Sequence, residues 1–119
     1  MEVNLNSFII KKNDTLPSLS IDVTDVGCLG EKIPYNLSAV TAVTFTMVDD
    51  CGNFKVLNQS ADIVCDSGGT IEYNWSSEDT DTEGDFLGEF RLSFSGGTRM
   101  TLPTKDSIRI HIPNSVNPF

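Results

Sequence analysis

Any chemistry in this chain has to come from three cysteines, one histidine and a run of acids. Cys28, Cys51 and Cys65 show no Cys-x-x-Cys spacing, and the single histidine, His111, lies far downstream. Structural zinc sites bring paired ligands at short spacing, so no metal is assigned. The odd count leaves one thiol over from any disulfide. The three are therefore read as reduced thiols, mostly buried or half-buried, in a chain made in a cytoplasm. The stretch Asp79-Thr80-Asp81-Thr82-Glu83-Gly84-Asp85 opens like a calcium loop, with acids at alternate positions and glycine sixth. Its twelfth position is Phe90 instead of glutamate, and no helical pattern flanks it. A solvated loop ahead of a strand is the expectation. One histidine with no partnered serine or cysteine is not a triad. Gly68-Gly69 and Gly96-Gly97 precede no helix that could cradle a phosphate. No two carboxylates have an evident reason for split pKa values. The chain is read as a non-enzyme with no cofactor.

The elements that position these residues follow a period of two. Phe86, Gly88, Phe90, Leu92 and Phe94 alternate with Leu87, Glu89, Arg91 and Ser93, which places the aromatic set on one face of a long strand. Val43, Phe45 and Met47 alternate with threonines, Ile71, Tyr73 and Trp75 with Glu72 and Asn74, and Ile108, Ile110 and Ile112 with Arg109 and His111. One apolar and one polar face per segment is the signature of antiparallel sheets with a wet side. Shorter strands are expected near 8–11, 19–23, 54–57, 61–65 and 99–102. Turn signals separate them at Asn13-Asp14, Gly27 to Gly30, Asp50 to Asn53, Ser67 to Gly69 and Ser95 to Thr98. The pattern predicts an all-β, immunoglobulin-like antiparallel sandwich of about seven to nine strands with no core helix. Phe45, Tyr73, Trp75, Phe86, Phe90, Leu92, Phe94 and Ile110 are its expected core. Residues 6–112 form the sandwich, 1–5 an N-terminal arm and 113–119 a tail.

With 119 residues and 39% hydrophobic composition, the chain has room and apolar material for one domain. No apolar run approaches the ~20 residues that span a bilayer, and Met1 to Leu5 lacks a basic, apolar leader. Four Asn-x-Ser/Thr triplets, at Asn13, Asn36, Asn58 and Asn74, are accordingly taken as chance. The net charge is −9, and residues 56–90 carry nine acids and no base. Such a chain repels a phosphate backbone, so neither nucleic acid nor membrane is expected as a partner. The acidic stretch reads as a solvated surface or as a patch for basic partner subunits. Asp79, Asp81, Glu83, Asp85 and His111 are the candidate interface residues.

The order of features resembles the immunoglobulin-like domains of tailed-phage structural proteins, similar to the N-terminal domain of phage baseplate upper proteins. The resemblance rests on Asn13-Asp14-Thr15-Leu16-Pro17 after a strand, Leu19 to Val23, Asn36-Leu37-Ser38 and Val43 to Met47. It continues with Tyr73-Asn74-Trp75 after Gly69, the Gly84 to Phe90 stretch, and Thr101-Leu102-Pro103 before a closing Ile-x-Ile-x-Ile strand. It implies an architectural role without catalytic residues: a stand-alone connector or anchoring subunit of a tail, baseplate or fibre. The implied partners are other virion structural proteins, with the chain a homo-oligomer in a symmetric assembly. The implied location is the virion, after synthesis in the host cytoplasm. The alternative is a capsid-decoration or carbohydrate- or receptor-binding adhesion module on the same fold. Binding a glycan or host receptor would need an exposed aromatic platform, for which Tyr35, Phe54 and Phe119 are the unassigned candidates.

Overall fold

The computed structural model describes residues 2–114. Its strands are β1 (Glu2–Val3), β2 (Ser7–Ile9), β3 (Leu19–Val26), β4 (Lys32–Pro34), β5 (Val40–Asp49), β6 (Phe54–Ser60), β7 (Asp62–Cys65), β8 (Thr70–Tyr73), β9 (Gly84–Phe94), β10 (Arg99–Leu102) and β11 (Ile108–Ile112). They form a five-stranded sheet, ordered β1-β3-β8-β7 with β4 also on β3, and a six-stranded sheet, ordered β2-β11-β9-β5-β6 with β10 also on β9. No helix occurs among the described residues. The chain is an all-β, immunoglobulin-like sandwich.

The inward residues of β9 pair across to those of its neighbours. Phe90 stands opposite Phe45 on β5 and Leu102 on β10, and Phe86 opposite Ile110 on β11. These side chains meet Leu19, Ile21, Val23, Ile71 and Tyr73 of the other sheet in one core. Phe45 is its hub: its ring centroid lies 4.6 Å from Tyr73, 5.0 Å from Phe90 and 5.7 Å from Trp75. The expected core set is buried except for Phe94, which is half-buried and packs on its margin. Trp75 lies beyond the end of β8 yet is buried, against Phe8 and Tyr73.

Three differences from the sequence reading stand out. The described residues form eleven strands instead of seven to nine, the surplus being two- and three-residue pieces too short to show a period. Of the expected 1–5 arm, the described residues 2–5 are tied to the sandwich: β1 pairs with β3, and Asn4 Oδ1 accepts the Asp22 N–H at 2.8 Å. The chain also changes sheet at Ala61, between β6 and β7. Asn13 to Pro17 carries the crossing that was expected, from β2 to β3, where proline cannot continue a ladder. Of the expected tail, Pro113 and Asn114 lie beyond β11, and the remainder falls outside the described residues.

Candidate functional site

The register of the six-stranded sheet decides which side chains reach solvent. Directly opposite residues of an antiparallel pair share a face. Across β11, β9, β5 and β6, one outward row therefore reads Arg109, Leu87, Val48, Phe54. The next row reads Ile9, His111, Asp85 across β2, β11 and β9. Ile9 is 66% exposed, Phe54 62% and Leu87 44%, and a shallow depression lined by Ile9, Leu87, Arg109, His111, Asp85 and Asp50 runs between the rows. Single exposed apolar residues carry no message, whereas several on one face do. Further along β9, beyond the outward acid Glu89, Arg91 stands opposite Thr101, and Arg99 opposite Ser93. With Arg109, that places three arginines on this face of a chain that has eight basic residues in all.

The five-stranded sheet presents the opposite charge. Asp22, Glu72 and Asp62 point outward, and Glu72 stands directly opposite Asp62. Their polar contacts are to neutral groups. The Thr70 hydroxyl donates to Asp22 Oδ1 at 2.8 Å, and Asn74 Nδ2 donates to Asp62 Oδ2 at 3.1 Å. The one base beside this face, Lys32, pairs with Glu2 at 3.3 Å.

The five candidate interface residues scatter. Asp85 and His111 do come together on the outward face, with Nδ1 2.7 Å from Oδ1. Glu83 is exposed in the preceding loop. Asp81 is held by Lys55, whose hydrogen bond keeps the carboxyl below the usual carboxylate range. Asp79 is the correction, because it is buried. It accepts the Tyr73 hydroxyl at 2.6 Å and the Ser76 N–H at 3.0 Å. Burial first, then the bond to the Asp79 carboxylate, pushes the Tyr73 phenol well above its ordinary 10.0. Thr80 is fully buried beside it and donates to the Asp14 carbonyl at 2.8 Å. Asp79 and Thr80 thus pin a crossover to the sandwich, and the 79–85 acids do not converge on a calcium-sized centre.

The thiols also differ from expectation: Cys28, Cys51 and Cys65 are free and exposed. Cys51 sits at the β5–β6 hairpin tip, where the negative charge of Asp50, then that of Asp49, raises its pKa. Asp49, Asp50 and Cys51 bring one ligand atom each within 4.8 Å. The Asp49 carboxylate already accepts the Asn53 and Cys51 N–H groups at 2.9 Å each, which lowers its pKa. Three exposed donors, one committed to its own turn and one a thiol held protonated, are a poor metal cage. Phe54 is the exposed aromatic residue among the receptor candidates, Tyr35 is half-buried, and Phe119 lies outside the described residues.

No family model matches the chain, and no curated protein matches it. Among solved structures it is similar to CopC from Methylosinus trichosporium OB3b, with a TM-score of 0.55 and 9% identity over 100% of this chain and 96% of that one. At that identity the likeness defines the class of fold, the β-sandwich, and nothing finer. It corrects the virion reading. CopC superposes along the whole chain, which points away from a phage connector, decoration or adhesion role. The ordered motifs behind that reading were strand alternations and glycine turns, which recur in any sandwich of this size.

Proposed function

We propose that this chain is a non-catalytic binding module whose working surface is the outward face of the six-stranded sheet. The observation that carries the reading is the row of Leu87, Val48 and Phe54 beside Ile9, lying on the solvent side of strands whose other face already fills the core. An outward leucine in the middle of the longest strand contributes nothing to the interior. Protein contact surfaces typically join such an apolar centre to a rim of arginines, and here Arg91, Arg99 and Arg109 supply the rim.

The test compares two double variants in affinity capture from the native source. Phe54→Asp with Leu87→Asp removes the apolar centre. Leu16→Asp with Leu29→Asp places the same charges at loop residues that are 73% and 94% exposed. Loss of captured protein in the first variant alone supports the module; equal capture by both refutes it.

A further inference from the structure

Resting on that reading of the face, we infer that its partner is a second copy of this chain, docked through the acidic outer face of its five-stranded sheet. Among the described residues, the salt bridges involve Glu2, Lys32, Lys55, Asp81, Asp85 and His111. Arg91, Arg99 and Arg109 on one face, and Asp22, Glu72 and Asp62 on the other, all lack an ionic partner among the described residues. Arginine and carboxylate are the pair best suited to bidentate contact.

The spacing of the two sets corresponds. Arg91 and Arg99 lie diagonally on neighbouring strands, Arg99 facing Ser93 two residues beyond Arg91. Glu72 and Asp22 stand in the same relation, Asp22 facing Thr70 two residues before Glu72. Such diagonal positions are about 7–8 Å apart. Leu87 lies four residues along β9 from Arg91, and Val26, 59% exposed, lies four residues along β3 from Asp22. Each face therefore offers a pair of like charges and, one strand length away, an exposed apolar side chain. The directly opposed Glu72 and Asp62 repel each other in the isolated sheet, and an arginine laid across them relieves that repulsion.

The two faces are different surfaces on opposite sides of the sandwich. The contact is consequently heterologous, each copy keeps one face free, and assembly continues into a ring or an open stack. Salt weakens it, because the charges are at the surface.

Light scattering at low salt over rising protein concentration tests this. Wild-type mass should climb with concentration and fall on adding salt. Arg91→Glu with Arg99→Glu reverses one face, and Asp62→Lys with Glu72→Lys reverses the other. Each double variant alone should remain monomeric. Mixed one to one they should associate again, since the untouched acidic face of the first meets the untouched arginine face of the second, and the two reversed faces are again opposite in charge. The neutral variants Arg91→Gln and Glu72→Gln, which leave the fold's hydrogen bonds intact, should each weaken association about tenfold. The inference is overturned by a wild-type monomer at every concentration, by association that survives both reversals, or by a mixture that stays monomeric while both variants melt like wild type. A wild-type monomer that still loses capture of another protein on Phe54→Asp with Leu87→Asp would leave the module standing and remove the second copy as its partner.

Discussion

Gly88→Ala puts the close packing of the core side chains beneath β9 to a quantitative test. Gly88 faces inward at the middle of β9, opposite Met47 and Ile108. A Cβ built there would lie 2.7 Å from Ile110 Cδ1 and 2.8 and 2.9 Å from the Cζ and Cε1 atoms of Phe45. All three distances are shorter than carbon atoms tolerate, so a neighbour has to move. Ile110 ends in a methyl that can rotate, but Phe45 cannot give way freely, being clasped by Tyr73, Trp75 and Phe90. Overpacking of this kind costs about 1–3 kcal/mol. The opposing effect, the lower entropy of the unfolded chain when alanine replaces glycine, is worth about 0.4–1 kcal/mol, so the net sign is destabilising. Unfolding entropy scales at about 2.1 cal/mol/K per residue; for 119 residues this makes about 4 °C of melting temperature per kcal/mol. A fall of about 5 °C, and at most about 10 °C, by calorimetry is expected, partly recovered by adding Phe45→Leu. A melting temperature that is unchanged or raised, with the native spectrum intact, would refute the packing argument at its centre.

Other perturbations address the remaining claims. Phe90→Ala should cost about 3–5 kcal/mol in denaturant titration, because its ring is fully buried against Phe45; a cost near zero would remove it from the core. Tyr73→Phe should cost about 1–3 kcal/mol by leaving buried Asp79 short of a donor, and an unchanged denaturation midpoint would contradict that pairing. The raised Tyr73 pKa fixes a sign as well: the native state holds a proton that the unfolded state releases above pH 10. The Tyr73 contribution is therefore complete below pH 10 and decays as pH rises above it, and Tyr73→Phe should flatten that decay in melts from pH 9 to 11. Asp50→Asn should speed alkylation of Cys51 at neutral pH several-fold, since the Asp50 charge is the foremost cause of the raised thiol pKa; an equal rate would overturn the assignment.

The sandwich was legible because burial writes a period of two into long strands. Phe86 to Phe94 and Ile108 to Ile112 alternate without interruption, and Gly88 and the Asp50 to Asn53 tip were placed by the same logic. β1 and β4 were not, since two or three residues carry no period and their pairing to β3 is decided by the neighbour. Asp79 read as one more acid of a solvated loop; only the fold brings the Tyr73 hydroxyl to it. The cysteines were expected inside because small apolar thiols usually are, yet each lies in or beside a turn. The docking face carried a faint signal. Leu87 occupies a polar phase of β9, and Phe54 was an aromatic without a role, but which strands flank β9, and hence that the two meet through Val48, depends on long-range register. The order of motifs misled about function for a related reason, as turns and alternations report architecture and not partners.

The central claim is that the outward face of the six-stranded sheet is where this chain meets its partner. Hydroxyl-radical footprinting of side chains, on the free chain and on the chain in its native complex, reads that face directly. Ile9, Phe54 and Leu87 should lose labelling in the complex, while Leu16 and Leu29, exposed in loops, keep theirs. Protection of Leu16 and Leu29 with full labelling of Ile9, Phe54 and Leu87 would contradict the account.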